Sequence, residues 1–139
     1  MSTSVLQATN EEIQQLLKNT QTIAVVGLSD NPSRPSHEVA AYLLRHGYRI
    51  IPVNPSATEI LGQKSYASLH DIPERVDIVD IFRNVEAIPG IVEEALKLNP
   101  RCVWMQLGLT HEQAAGVARD AGILVVMNKC IKIEHSRLL

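Results

Sequence analysis

The stretch VVGLSDNPSRPSHEV, residues 25–39, decides the fold. An apolar run ends at Gly27, a polar loop with two prolines follows, and apolar residues at helical spacing begin near Ser36. A strand, a loop and a helix in this order form one unit of a sheet whose faces are covered by helices. The stretch therefore predicts an α/β fold, and its loop lies where such folds bind ligands.

The same alternation continues along the chain. Each apolar run is short and rich in β-branched residues, which is typical of strands buried on both faces. The runs predict five strands, TIAVV, RIIPV, VDIVDIF, CVWM and ILVVM, over residues 22–26, 49–53, 76–82, 102–105 and 123–127. The expected architecture is a doubly wound, mostly parallel five-stranded sheet with helices on both faces, in a single domain.

Capping signals predict where helices begin. Thr9 and Glu12 have capping-box spacing ahead of an amphipathic segment, so residues 1–21 are expected to form an N-terminal helix packed on a domain of residues 22–139. Asn84 is expected to cap a helical segment in which Pro89 marks a kink or a restart.

Two other segments carry weaker signals. Thr110 and Gln113 also have capping-box spacing, which predicts the start of a helix that ends near Gly122. The less periodic residues 56–75 are expected to be a loop with one or two helical turns.

Composition narrows the class of protein. The 139 residues have a net charge of -2, 45% are hydrophobic and 20% are charged, which is typical of a soluble domain and disfavours nucleic-acid binding. No apolar run is long enough to span a bilayer and no signal-peptide pattern is present, so the expected location is the cytoplasm. Cys102 and Cys130 are expected to be free thiols, and the five histidines lack metal-ligand spacing, so no metal site is predicted.

The first strand end does not match a NAD site. Gly27 suits the tight turn, but Ser29 and Pro32 stand where the dinucleotide fingerprint has its second and third glycines. The second strand ends in Asn54 and Pro55, not in the acid that would accept the ribose 2′-hydroxyl.

Anion binding at this loop is the better interpretation. Ser29, Ser33 and Ser36 offer hydroxyl groups, a helix N-terminus follows Pro35, and Arg34 can hold an oxyanion bidentately. A polar loop that merely caps a helix is the alternative.

The other strand ends leave their roles open. Arg83, after the third strand, would suit a ligand with several phosphates or is simply solvated. Gly108, after the fourth, allows close approach of a ligand or makes a turn. Cys130, after the fifth, is a candidate nucleophile beside Lys129 or a structural thiol.

Taken together, the strand ends resemble a known family. NPSRPS, PVNP, FR, QLG and NKC at these intervals are similar to small stand-alone CoA-binding proteins, and to the N-terminal CoA-binding domain of the succinyl-CoA synthetase α subunit. The resemblance covers residues 22–130. It implies a Rossmann-like fold that binds coenzyme A, or an acyl-CoA, at the carboxyl edge of the sheet.

The resemblance also implies the residues of the site. Gly27, Ser29, Asn31, Ser33 and Arg34 would surround the CoA phosphates, Val53, Asn54 and Pro55 would line the adenosine end, Phe82 and Arg83 the opposite wall, Gln106, Leu107 and Gly108 the rim toward the pantetheine, and Asn128 would close the site.

This chain departs from the synthetase pattern in one contact. Ser56 and Ala57 stand where the synthetase domain has a lysine, and Lys64 is a possible substitute. The ligase domains are not expected here, which favours a binding module for CoA or acyl-CoA, with a protein partner or a second copy of the chain. Three alternatives stay open: an NADP-type site using Arg34, a redox or acyl-transfer enzyme using Cys130, and an interaction protein that binds no nucleotide.

Overall fold

The computed structural model describes residues 7–139. Five parallel strands form the main sheet in the order β2-β1-β5-β6-β7. This arrangement confirms the predicted fold class, and all five expected strands are present within the predicted runs. Their bounds are β1 Thr22–Val26, β2 Arg49–Val53, β5 Ile78–Ile81, β6 Cys102–Met105 and β7 Leu124–Val126.

Helices cover both faces of the sheet, as expected for parallel strands joined by crossovers. One face packs on α3 and α4, whose inner residues include Val92 and Ala115. The other face packs on α1, α2 and α5, whose inner residues include Leu17, Val39 and Ile131. The helices are α1 Asn10–Asn19, α2 Pro35–Arg45, α3 Ile88–Leu98, α4 Glu112–Asp120 and α5 Ile131–Leu138.

The capping box of α1 is confirmed. The Thr9 hydroxyl accepts from the Glu12 amide at 3.1 Å, and the Glu12 carboxylate accepts from the Thr9 amide at 2.8 Å. Leu16 and Leu17 face the core, and the Gln14 side chain donates to the Leu138 carbonyl at 2.7 Å. The helix therefore packs on the sheet and on α5, while the domain boundary at residue 21 stays a prediction.

Three local expectations need correction. Residues 56–75 contain a small antiparallel hairpin, β3 Glu59–Ile60 and β4 Gln63–Lys64, besides one 3-10 turn at Leu69–Asp71, because Leu61 and Gly62 take the positive φ angles of a tight turn.

Helices α3 and α4 also begin differently from expected. Asn84 precedes a 3-10 turn and its side chain makes no capping bond there, whereas the restart at Pro89, in the first turn of α3, is confirmed. The cap of α4 is His111, whose Nδ1 accepts from the Ala114 amide at 3.1 Å, so the Thr110 capping box is wrong.

The strand order places a crevice above β1 and β5. From β1 the chain crosses to β2 on one side, and from β2 it returns to β5 on the other. Such a switch point leaves the carboxyl ends of the two central strands uncovered by a connection, and ligands of doubly wound folds bind there. Gly27 follows β1 and Phe82 follows β5, so these residues form the floor of the crevice. In the part of the chain that the structure describes, no helix is long and apolar enough to cross a membrane.

Candidate functional site

The floor of the crevice depends on the absence of a side chain at residue 27. Gly27 has a φ of +88°, and a Cβ added there would lie 2.3 Å from the Phe82 carbonyl oxygen and 2.8 Å from Cδ of Arg83. The backbone is held in place because the Gly27 amide donates to the Val53 carbonyl at 2.9 Å and the Phe82 amide donates to the Val26 carbonyl at 2.8 Å. Glycine at this position lets the ends of β1, β2 and β5 converge.

The loop after β1 is organised by its own polar side chains. The Ser36 hydroxyl accepts from the Ser29 amide at 3.0 Å, and the Ser29 hydroxyl accepts from the Asn31 amide at 3.0 Å. The Asn31 carboxamide oxygen then accepts from the amide and the hydroxyl of Ser33, at 3.0 and 2.9 Å. These bonds give the loop a defined shape and bring it to the start of α2.

A polar cavity of about 350 Å³ opens above this loop. We call it the polar lobe. Helix α2 begins at its wall with Pro35, and within the described residues no side chain caps that helix end. Pro35 has no N–H and the His37 amide donates to the Arg34 carbonyl at 3.1 Å, so the Ser36 amide and the helix dipole are what favour an anion at this place. Gly27, Ser29, Arg34, Pro35, Ser36, Asn54 and Phe82 line the polar lobe.

Arg34 supplies the positive charge of the polar lobe. Its side chain is exposed, and among residues 7–139 it forms no ion pair with a carboxylate. Asn54 closes the other side, where its amide group donates to the Leu28 carbonyl at 2.9 Å and its oxygen accepts from the Ser56 amide at 2.8 Å. Lys64 stands near the same strand end, since its Nζ lies 5.1 Å from the ring centre of Tyr66, which pairs with Pro52 and Asn54.

A second cavity, the apolar lobe, has a volume of about 560 Å³ and shares Pro35 and Phe82 with the polar lobe. It runs from the start of α2 across the ends of β5 and β6 to the start of α5. The shared residues show that the two lobes lie side by side. Pro35, Val39, Phe82, Arg83, Asn84, Gln106, Leu107, Leu109, Cys130 and Ile133 line the apolar lobe.

Five of the predicted site residues line the polar lobe and four line the apolar lobe, with Phe82 in both. Gly108 and Asn128 line neither lobe, because the Asn128 oxygen accepts from the Gly108 amide at 2.7 Å and ties together the loops after β6 and β7. Asn31 and Ser33 shape the first loop from within. Val53 and Pro55 line a separate cavity of about 100 Å³, together with Arg83. Direct ligand contact by these six residues stays a prediction.

Asp80 is the most unusual group near the site. It lies in the central strand β5, is 0% exposed, and neither carboxylate oxygen has a hydrogen-bond partner among residues 7–139. Burial raises the pKa of its carboxyl well above the usual range. It shares a sheet face with Phe82, two residues later, so a buried acid lies beneath the floor of the crevice.

The described residues hold no group of three or more histidine, cysteine or acidic side chains that could bind a metal ion. The residues that line the two lobes supply hydroxyl and amide donors, two arginines, one thiol and apolar walls. Such a set is suited to a ligand with an anionic part and an apolar part.

Comparison with known proteins fits this arrangement. The family model described as a CoA binding domain matches residues 21–136. The chain belongs to the CoA-binding domain family. The family predicted from the strand ends is thereby confirmed, and the matched range contains both lobes.

Its relatives include small proteins and large ligases. The protein named "Uncharacterized protein YneT" from Bacillus subtilis (strain 168) is 44% identical over 125 residues, which cover 90% of this chain and 93% of that protein. The solved structure of a hypothetical protein from Pyrococcus horikoshii OT3 has a TM-score of 0.92 at 39% identity and covers 96% of this chain and 94% of that one. The ADP-forming acetate-CoA ligase II of Archaeoglobus fulgidus is 29% identical over 78% of this chain, which spans 17% of the ligase.

Several lining residues were missed by the sequence motifs. Val39, Leu109 and Ile133 are ordinary apolar residues of helices and loops, and nothing in their local pattern separates them from core residues. Val39 and Ile133 reach the cavity because α2 and α5 pack side by side at the carboxyl edge, whereas Leu109 reaches it from the loop after β6. Only the tertiary packing of these elements could have revealed them, and a local sequence pattern gives no such information.

Proposed function

We propose that this CoA-binding-family domain binds coenzyme A or an acyl-CoA at the carboxyl edge of its sheet, as a binding module. The observation that supports this proposal most is that two cavities adjoin, of which one is polar and cationic and the other is apolar. Coenzyme A has the same division, with a phosphorylated nucleotide at one end and an uncharged pantetheine at the other. Family membership supports this choice of ligand.

The polar lobe suits the diphosphate. An anion at the start of α2 would meet the Ser36 amide, the hydroxyl groups of Ser29 and Ser36, and the guanidinium of Arg34. Arg83 and Lys64 are further cations near the ends of β5 and β2. They are the candidates for the 3′-phosphate, in place of the lysine that the synthetase domain carries after its second strand.

Thermal unfolding with a panel of ligands tests the proposal. Coenzyme A, dephospho-CoA, NADP and ATP are added at equal concentration, and a specific ligand at 100 times its Kd stabilises the fold by about 2.7 kcal/mol. The expected order places CoA first, with dephospho-CoA weaker because it lacks the 3′-phosphate. NADP is the discriminating alternative, and stronger stabilisation by NADP than by CoA would refute the assignment.

Charge-neutral variants locate the site. Arg34→Gln and Arg83→Gln are each expected to weaken CoA binding about tenfold or more, since hydrogen bonds to charged groups contribute about 1.5–3 kcal/mol. Arg45→Gln is the matched control, because Arg45 is an exposed arginine at the opposite end of α2. Equal effects at Arg34 and Arg45 would show a general response to charge, not a phosphate site.

A catalytic use of Cys130 is the second candidate, favoured by its place in the wall of the apolar lobe. In that reaction the Cys130 sulfur would attack the thioester carbonyl, the bond to the CoA sulfur would break, and free CoA would leave with the thiol proton. Mass spectrometry of the intact protein after incubation with an acyl-CoA distinguishes the two. A binding module keeps its mass, whereas acyl transfer adds the acyl group to the wild type and not to Cys130→Ala.

Binding is proposed to take place in the cytoplasm, with another protein or a second copy of the chain reading the bound state. Exposed apolar side chains at the rim of the apolar lobe, Leu107 and Ile133, support a partner there. Size-exclusion chromatography with light scattering, with and without CoA, would show a change of assembly state if a second copy binds.

A further inference from the structure

The apolar lobe is larger than the polar lobe and has a different chemistry. Its volume is about 560 Å³, against about 350 Å³ for the polar lobe. Val39, Leu109 and Ile133 come from three different elements and converge on it. Arg83 is the one charged residue among those that line it, and it follows Phe82, which lines both lobes. The far end, toward α5, is therefore suited to uncharged groups.

Gln106 places a polar group in this wall between the ends of β6 and α5. The residue is 5% exposed, and its carboxamide oxygen accepts from the Ile131 amide at 3.2 Å. This bond settles which end of the carboxamide is the oxygen, since an amide can only donate. Within the described residues the Gln106 –NH₂ group donates to no protein acceptor, and it remains for the cavity that Gln106 lines.

An unused donor in an apolar cavity selects its ligand. Water in the cavity reaches this donor, and a ligand that displaces the water without offering an acceptor loses that hydrogen bond, so a ligand with a carbonyl oxygen at this position is favoured over one without. Apolar side chains beyond it favour a hydrocarbon chain attached to that carbonyl. A thioester with an apolar acyl chain has both features, whereas free coenzyme A ends in a thiol.

We propose that the ligand of this site is an acyl-CoA with an uncharged acyl chain of a few carbons, which lies in the apolar lobe while its thioester carbonyl accepts a hydrogen bond from Gln106. This inference rests on the proposed function, because the polar lobe must hold the CoA phosphates for the acyl end to reach the apolar lobe. In this inference Leu109 and Ile133 contact the acyl chain and set the preferred chain length, and Gln106 binds the thioester carbonyl.

Calorimetric titration of the full-length protein with CoA, acetyl-CoA, butanoyl-CoA and hexanoyl-CoA tests whether the acyl chain binds. Each fully buried methylene is worth about fourfold in affinity, so the two additional methylenes of butanoyl-CoA are expected to make it bind about fifteenfold more tightly than acetyl-CoA. The thioether S-butyl-CoA lacks the carbonyl, and it is expected to bind about fivefold or more weakly than butanoyl-CoA. This pair tests the role of Gln106 without altering the protein.

Ile133→Asn tests the location. Ile133 is 52% exposed, so the substitution leaves the core intact, and it is expected to bring the affinity ratio of butanoyl-CoA to acetyl-CoA from about fifteenfold close to one. Val117→Asn is the control, since Val117 is 44% exposed and lies on α4, on the other face of the sheet.

The outcomes separate this inference from the proposed function. If neither CoA nor any acyl-CoA binds, both are overturned. If CoA binds and longer chains add nothing, or if the gain is the same in Ile133→Asn, the acyl site is overturned and the CoA site stands. If butanoyl-CoA and S-butyl-CoA bind equally, the Gln106 contact is overturned.

Discussion

Replacing Asp80 by asparagine is expected to stabilise the protein at neutral pH. Both Asp80 oxygens are fully buried and have no hydrogen-bond partner in the part of the chain that the structure describes, and burial raises the pKa of the carboxyl well above its usual range. Asparagine has nearly the same shape and carries no charge at any pH. At neutral pH the wild type must either bury the negative charge of Asp80 or keep its carboxyl protonated. The substitution removes this cost and leaves the packing of β5 almost unchanged.

The sign and size of the effect follow from proton linkage. Because the folded pKa is raised, the folded state holds a proton that the unfolded chain releases above about pH 4. The free energy of unfolding of the wild type should thus fall with rising pH, relative to Asp80→Asn, by about 1.4 kcal/mol per pH unit until the folded pKa is passed. Below about pH 4 the two proteins should differ little in pH dependence, since the carboxyl is then neutral in both states.

Urea unfolding of both proteins, at one-unit steps from pH 4 to 9, measures this difference directly. Asp77→Asn is the control, because Asp77 is a buried acid whose carboxylate accepts from the Gln21 and Thr22 amides at 2.9 and 3.1 Å. Asparagine keeps one oxygen for those amides but replaces the other, which lies 3.4 and 3.5 Å from the Arg75 and Arg101 guanidinium groups, by an NH₂ group, and this is expected to destabilise the fold by about 1 kcal/mol. If the free energies of unfolding of the wild type and Asp80→Asn change in parallel with pH, the raised pKa of the buried Asp80 carboxyl is refuted.

Three further predictions concern single side chains. Gly27→Ala should lower the free energy of unfolding by about 2 kcal/mol or more, because residue 27 has a positive φ and the added Cβ would lie 2.3 Å from the Phe82 oxygen. Gly116→Ala, in the open interior of α4, should raise the free energy of unfolding by up to about 1 kcal/mol. Chemical unfolding of both variants checks this, and equal effects would contradict it. Thr9→Ala should cost about 1 kcal/mol by removing the α1 capping box, and an unchanged urea midpoint would count against that box. Burial and the neighbouring His46 lower the pKa of His135, so the free energy of unfolding should be highest above about pH 6.5 and fall as the pH drops toward the folded pKa. His135→Gln should lose this dependence between pH 7.5 and 5.5. If the variant keeps the dependence, another group is its cause.

The sheet could be predicted from the sequence because its signals are local. Strands buried on both faces appear as continuous apolar runs, and TIAVV and CVWM coincide with β1 and β6. Where a signal depended on competition between neighbours, prediction failed. At α4, Thr110 and His111 could both cap, and the structure uses the His111 ring, which reaches the Ala114 amide.

The polar lobe was also within reach of the sequence. Its residues follow β1, β2 and β5 directly, and strand ends of a parallel sheet meet at one edge. The apolar lobe was not, because Val39 and Ile133 belong to helices whose placement depends on tertiary packing. Asp80 shows the same limit: the sequence places it in a strand, but that its carboxyl lacks any partner is visible only in the packed structure.

The central claim is that coenzyme A binds at the carboxyl edge of the sheet. Amide chemical shifts of the ¹⁵N-labelled protein, followed during titration with CoA, test it most directly. The expected result is saturable shifts at Gly27, Ser29 and Gln106, with none at Arg75 and Arg101, which line a cavity at the amino edge of the same sheet. Shifts confined to the amino edge, or no shifts at millimolar CoA, would contradict the claim.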